Sequence, residues 1–154
     1  MIQFENVTAT YADDLGIFDL SFHIEKGEMV FLMGPTGAGK STVLKTIYKD
    51  IHLKDGSLYI DGQDITYMRT RKIPYYRRKI GMIFQDFRLI EDRSVFENVA
   101  LPLHILGLPS KEIKLKVNGI LEKVGLESVK KIIPSKLSGG EQQRVSIARA
   151  LVKD

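Results

Sequence analysis

No cysteine occurs in the 154 residues, which excludes disulfides, zinc–thiolate sites and thiol catalysis. That absence suits the cytosol. Long hydrophobic runs are missing too: the longest mostly apolar stretch, residues 99–108, is broken by Pro102, His104 and Gly107. It falls far short of the roughly 20 residues a membrane span needs. The start, Met1-Ile2-Gln3-Phe4-Glu5-Asn6, has no basic segment leading into an apolar one, so no signal peptide is expected. Any membrane role is expected to run through a partner. Charge of one sign is also scarce, with a formal net of only +4. Much of the basic excess sits in Arg69, Arg71, Lys72, Arg77, Arg78 and Lys79, which reads as a solvated face or as contact with anionic lipid or a partner's acidic surface. Nucleic acid is not expected, because Tyr75 and Tyr76 alone are a thin stacking platform. What is plentiful is apolar content, 44%, enough for the core of one domain.

The most informative stretch is Gly34-Pro35-Thr36-Gly37-Ala38-Gly39-Lys40-Ser41, followed by Thr42. It fits G-x-x-x-x-G-K-[ST], a phosphate-binding loop. Glycines let successive backbone N–H groups turn inward into an anion-sized nest. Lys40 would reach the β- and γ-phosphates, and the Ser41 hydroxyl would ligate Mg²⁺. A following helix adds the positive end of its dipole. The context agrees: Met29-Val30-Phe31-Leu32-Met33 reads as a buried parallel strand, and Val43, Leu44 and Ile47 recur at helical spacing. A nucleoside triphosphate is the expected ligand.

Around this loop, Ile2, Phe4 and Val7 predict a strand ending near Tyr11, and Ile17, Leu20, Phe22 and Ile24 a second. Lys26-Gly27-Glu28 makes the turn into the loop's strand. Residues 57–60 predict another strand, closed by the hairpin signal Asp61-Gly62, and residues 80–84 a fifth that arrives at Gln85. After Phe87 helices take over. Ser94-Val95-Phe96-Glu97 is a capping box opening a helix that Pro102 should kink or stop. Leu108-Pro109-Ser110 begins another, with Ile113, Val117, Ile120, Leu121 and Val124 on one face, Gly119 as a weak point and Gly125 as C-cap.

Leu137-Ser138-Gly139-Gly140-Glu141-Gln142-Gln143-Arg144 is the second distinctive stretch. Ser138 and Glu141 form a capping box, with Val145, Ala148 and Leu151 as the apolar stripe behind it. Two glycines in a first turn cost helix stability unless backbone must approach something closely. A helix start with a serine and exposed amides is a second anion site.

Two such devices in one chain resemble the nucleotide-binding subunit of an ATP-binding cassette (ABC) ATPase. Gly34, Pro35, Thr36, Gly37, Ala38, Gly39, Lys40 and Ser41 are similar to its Walker A motif, and Leu137 to Glu141 to its signature motif. Gln85 matches the Q-loop glutamine and Tyr11 the aromatic that stacks on adenine. The resemblance implies an α/β P-loop NTPase (RecA-like) core with N-terminal antiparallel β strands and an α-helical subdomain, C-terminally incomplete. Residues 1–86 would form the β-subdomain and P-loop part, 87–136 the helical subdomain, and 137–154 the signature and its helix. It also implies ATP and Mg²⁺, with Tyr11, the loop from Gly34 to Thr42, and Gln85 around the nucleotide. Lys40 and Gln85 would act at the γ-phosphate, and Ser41 and Gln85 at the metal. Ser138, Gly139, Gly140 and Glu141 of a second, head-to-tail copy would close on it. An integral membrane partner and a peripheral place on the inner face of the cell membrane are implied as well, with residues 87–103 as the partner groove or, equally, as ordinary packing.

A narrower resemblance, to the family's cell-division branch, rests on Lys26 to Phe31, Lys45-Thr46-Ile47-Tyr48, Phe84 to Ile90 and Asp92 to Leu103. Lipoprotein and macrolide exporter ATPases share much of this pattern. A nucleotide-gated interaction module and a P-loop kinase are the readings from other classes, and the kinase leaves residues 137–144 unexplained. The family's Walker B aspartate, catalytic glutamate and switch histidine lie beyond Asp154. Leu58-Tyr59-Ile60-Asp61 is a poor substitute, since Gly62 follows where an acid belongs. Residues 1–154 on their own are therefore expected to hydrolyse ATP very poorly.

Overall fold

The computed structural model describes residues 1–12 and 15–153. Two compact units divide the chain, Met1–Arg77 and Arg78–Asp154.

The first unit is built on an antiparallel sheet of order β2-β1-β3-β4: β1 Ile2–Ala12, β2 Leu15–Ile24, β3 Asp55–Ile60 and β4 Gln63–Asp64. In β1 the buried residues are Phe4, Val7 and Ala9, a spacing that a regular strand cannot bury on one face. The register shift between Phe4 and Val7 resolves this, with Asn6 at φ 50° as the extra residue that turns the following side chains over. Asp19 (φ 47°) does the same in β2, and the two bulges are tied together by Asn6 Nδ2 donating to Asp19 Oδ1 at 2.8 Å. Phe4 and Phe22 stack across the strands, ring centroids 4.4 Å apart. Asp61 and Gly62 both take positive φ (49° and 75°), the hairpin turn their sequence predicts.

Helix α1, Lys40–Ile47, follows the glycine loop and buries Thr42, Val43 and Thr46. Leu44 is exposed, so the inward stripe runs through the threonines instead. The C-terminal end of α1 is closed by a Schellman motif with Lys49, not glycine, in the left-handed position (φ 59°). Lys49 is itself buried and donates from Nζ to Thr66 O at 2.9 Å. Burial holds its ammonium below the ordinary lysine range, and Asp64 offsets part of that. Helix α2, Ile73–Arg77, supplies the remaining caps. Tyr76 Oη donates to Ile47 O (2.6 Å), and Arg77 donates to Tyr48 O (3.0 Å) and Lys49 O (3.1 Å). Desolvation pushes the Tyr76 phenol upward, keeping it a donor. Arg77 thus leaves the solvated basic face expected from its sequence neighbours.

Residues 29–33 differ from expectation. They are in no strand, and Met29 and Met33 are 81% and 85% exposed. Residues 80–84 are likewise outside the described sheet. An apolar run becomes a buried strand only when a neighbouring strand accepts its hydrogen bonds, and among the described residues neither run has one.

The second unit is helical: α3 Val95–Ile105, α4 Ser110–Lys123 and α5 Gly139–Leu151. Its core joins Val95, Val99, Ala100 and Leu103 of α3, Ile113, Val117 and Leu121 of α4, and Val145 and Ala148 of α5. Most apolar groups of residues 87–103 are spent here, while Ile90 stays 37% exposed. The α3 capping box forms as read, but Pro102 does not stop the helix; α3 continues to Ile105, with Val99, Ala100 and Leu103 buried in the core around it. Gly125 (φ 68°) ends α4 as predicted. In α5 the stripe passes to Val152, and Leu151 is exposed.

Asn98 fastens the approach to α3. It is fully buried, accepts from Ile90 N (2.8 Å) and donates to Ile90 O, Arg93 O and Ser94 O at 3.0 to 3.1 Å. Asn98→Ala strips Ile90 N of its acceptor and Arg93 O of its donor, while Ile90 O and Ser94 O keep the Arg93 and Asn98 amides, and we expect a loss of about 2 kcal/mol in chemical denaturation.

Candidate nucleotide-binding site

The glycine loop adopts the geometry its composition anticipates. Gly37 and Gly39 take φ 86° and 82°, and Gly34 takes 154°, values that side-chain-bearing residues avoid. At Gly39 the space is closed as well, since a Cβ would stand 2.8 Å from Ile17 Cγ2 and 2.9 Å from Gly16 O. Strand β2 therefore presses against the loop where α1 begins. The first helical hydrogen bond runs from Val43 N to Gly39 O (3.0 Å). The amides of Lys40, Ser41 and Thr42 precede it, donors that a helix start leaves for something outside the helix. No acidic residue occupies this first turn, so nothing there repels an anion. Ser41 is exposed, and Thr42 is packed inward, which leaves its amide at the helix start. Pro35, Thr36 and Ala38 line the exposed loop, tied by Ala38 N donating to Pro35 O at 3.2 Å.

Lys40 folds back over this loop. Its Nζ donates to Gly34 O at 2.8 Å and to Pro35 O at 2.7 Å. These carbonyls are weak acceptors that a phosphate oxygen would outbid. Tyr11 lies near the end of β1 with its ring 62% exposed, available to a flat ligand.

In the second unit, Gln85 is exposed in a turn closed by Phe87 N donating to Phe84 O at 3.1 Å. Ser138 caps α5: its Oγ accepts from Glu141 N (3.4 Å), while Glu141 Oε2 accepts from Ser138 N (2.8 Å) and Ser138 Oγ (2.6 Å). Those bonds from Ser138 hold the Glu141 carboxyl below its ordinary value, and Glu97 is lowered by the same box around Ser94. A Cβ at Gly139 would meet nothing within 4 Å, and at Gly140 only the Arg144 side chain at 3.9 Å. Nothing described in this chain requires those glycines to be bare, which directs the requirement to something outside it.

Sequence reasoning missed the residues that hold these loops, above all Arg77 and Arg149, whose partners are carbonyls distant in sequence. Among the described residues no group of three or more His, Asp or Glu side chains gathers to hold a metal. A cation here would rely on hard oxygen donors such as the Ser41 hydroxyl together with phosphate and water, the coordination Mg²⁺ prefers.

Residues 17–154 match the ABC transporter family, and the chain belongs to that family. Among curated relatives, the cell division ATP-binding protein FtsE of Escherichia coli K12 is 48% identical over 153 residues, covering 99% of this chain and 69% of the relative. FtsE of Bacillus subtilis is 41% identical over 155 residues, covering 100% of the chain and 68% of the relative. The methionine import ATP-binding protein MetN of Bordetella avium is 44% identical over 158 residues but is covered only to 44% of its length. Among solved structures, a dimeric ATP-binding cassette in a post-hydrolysis state with ADP and Pi superposes with a TM-score of 0.90 at 36% identity, over 99% of this chain and 69% of that one. The fold is that of an ABC ATPase cassette, and the chain is an ABC ATP-binding subunit.

Both capping carboxylates have folded values below their ordinary 4.5, so the stability they confer is complete above that pH and is lost as the pH falls through their folded values. Thermal melts from pH 7 to about pH 3 should show a stability gap between wild type and Glu97→Ala/Glu141→Ala that is full near pH 7 and narrows as the pH falls below 4.5.

Proposed function

We propose that this chain binds Mg²⁺–ATP on the loop from Gly34 to Thr42 and drives a membrane complex by ATP binding and hydrolysis. The observation that carries this is the helix start at Gly39: positive-φ glycines, amides ahead of the first helical bond, and no acid in the first turn. On binding, Lys40 exchanges the Gly34 and Pro35 carbonyls for β- and γ-phosphate oxygens. The amides of Gly37, Ala38, Gly39, Lys40, Ser41 and Thr42 cradle the phosphates, and Tyr11 stacks on the base. Ser41 and Gln85 are the residues that would hold magnesium, which would supply charge neutralisation at the transferring phosphoryl group. Gln85 also orients the attacking water and reports to the helical unit.

Ser138, Gly139 and Gly140 close on ATP held by a second copy, arranged head to tail. Their open surroundings, and a dimeric cassette as a structural relative, support this reading. Glu141 contributes by holding Ser138. We read residues 1–86 as the ATP-binding part, 87–136 as the helical subdomain and 137–154 as the signature helix that returns to the core.

The cell-division role is the favoured assignment, on the FtsE relatives and on the stretches from Phe84 to Ile90 and from Asp92 to Leu103. The resemblance brings with it the integral membrane partner FtsX and control of peptidoglycan hydrolases. No described helix is long and apolar enough to cross a membrane, which leaves attachment through that partner at the cytoplasmic face as the proposal. The MetN relatives make a small-molecule importer the second reading. Co-purification with FtsX, set against co-purification with an importer permease, separates the two.

In the full-length protein, Lys40→Ala should weaken ATP binding about 100-fold by calorimetry, since one charged contact to phosphate is worth roughly 3 kcal/mol. Ser138→Arg should keep ATP affinity yet abolish nucleotide-driven dimers in light scattering; a dimer that persisted would refute closure by a second copy.

A further inference from the structure

The segment that carries Gln85 is held by helix α5. Lys153 Nζ donates to Arg78 O (3.0 Å) and Ile80 O (2.8 Å). A Cβ on Gly81 would stand 2.8 Å from Ala150 O, so segment and helix touch backbone to backbone. Beyond Gln85, Arg149 donates from its two terminal nitrogens to Phe87 O and Arg88 O, both at 2.6 Å.

Those two acceptors belong to an unusual turn. Phe87 and Arg88 are consecutive and both left-handed, at φ 56° and 46°. A side chain there crowds its own following carbonyl, and strain of this kind persists only where surrounding contacts over-determine it. The contacts are visible. Arg88 lies over the Phe84 ring at 4.0 Å and pairs with Asp86 at 3.5 Å, and Asn98 takes Ile90 N on the far side. The guanidinium grips both strained residues at once, and its planar fork suits two adjacent carbonyls as an ammonium does not.

We propose that Arg149 is a positioning residue for ATP hydrolysis: its fork holds the left-handed pair Phe87 and Arg88, and with them Gln85, against the helix that Ser138 caps. The inference rests on the hydrolytic reading above. Arg149 needs no contact with nucleotide for this. It lies on the same uninterrupted helix as the serine cap, roughly 16 Å along by helical rise. A displacement of α5 is therefore passed to the Gln85 turn through Arg149, beside the Lys153 and Ala150 contacts that hold the residues before it.

The test uses the full-length protein with Arg149→Lys, Arg149→Met and the double variant Arg149→Met/Phe87→Gly, in which glycine removes the strain of one left-handed residue and leaves the Arg88 contacts in place. Four quantities are read: ATP Kd, the kcat and KM of hydrolysis, and amide hydrogen exchange across residues 84–90. Both single variants should lower kcat about tenfold or more while Kd and KM stay within about twofold, and exchange at 86–90 should quicken. The double variant should recover several-fold in kcat and regain slow exchange. Unchanged kcat and exchange in Arg149→Met would overturn the proposal. So would a parallel loss of ATP affinity, or a double variant no better than the single. If wild type binds ATP without turning it over, the hydrolytic reading itself fails. Exchange then decides the clamp alone: quickening with recovery upholds it, and unaltered exchange ends it.

Discussion

Everything proposed for this protein depends on helix-terminal groups being left for use or being taken up. At the start of α1, amides stand ahead of the first helical bond with no carboxylate near them. Those unspent donors, with the positive end of the helix dipole behind them, are the physical basis for attracting a polyphosphate. At the other end the opposite condition holds. The Ile47, Tyr48 and Lys49 carbonyls are all taken, by Tyr76 and Arg77. A helix whose C-terminal carbonyls are satisfied by protein is anchored there, so its N-terminal donors are presented from a fixed base.

The second unit repeats the theme with different chemistry. α5 begins with a serine that is itself restrained by Glu141, and with two glycines whose missing side chains leave open space. Further along, Arg149 of the same helix and Lys153 just past its end are spent on carbonyls of residues 78–88. One face of α5 packs into the apolar core through Val145 and Ala148, and another holds the Gln85 segment. The helix is thus both a core element and a mount for backbone that has no strand partner among the described residues.

Cationic side chains carry much of this work, although the chain's net charge is small. Lys40, Lys49, Arg77, Arg149 and Lys153 each donate to backbone carbonyls. Carbonyls are modest acceptors. Lys40 differs from the others because its acceptors belong to the exposed loop itself, so an arriving phosphate can compete for it. The buried Lys49 is a structural clamp, placed in a left-handed position where glycine is usual.

What was legible in the sequence was what local backbone chemistry dictates. The loop glycines, both capping boxes, the Asp61-Gly62 turn and the Gly125 cap depend on residues within a few positions of one another, and they stand where their sequence puts them. The helical stripe of α4 was legible for the same reason. Only tertiary structure decided the rest. The bulges at Asn6 and Asp19 change which face of β1 and β2 is buried, because each strand's register answers to the other's. The apolar run at 29–33 remains exposed, because a strand is a relation between two segments and periodicity describes only one. Arg77 read as ordinary surface charge and Arg149 carried no signal at all, since their partners lie far away in sequence and a carbonyl has no sequence signature. A chain declares its turns and caps by itself; it takes the folded state to bring a guanidinium to a distant backbone oxygen.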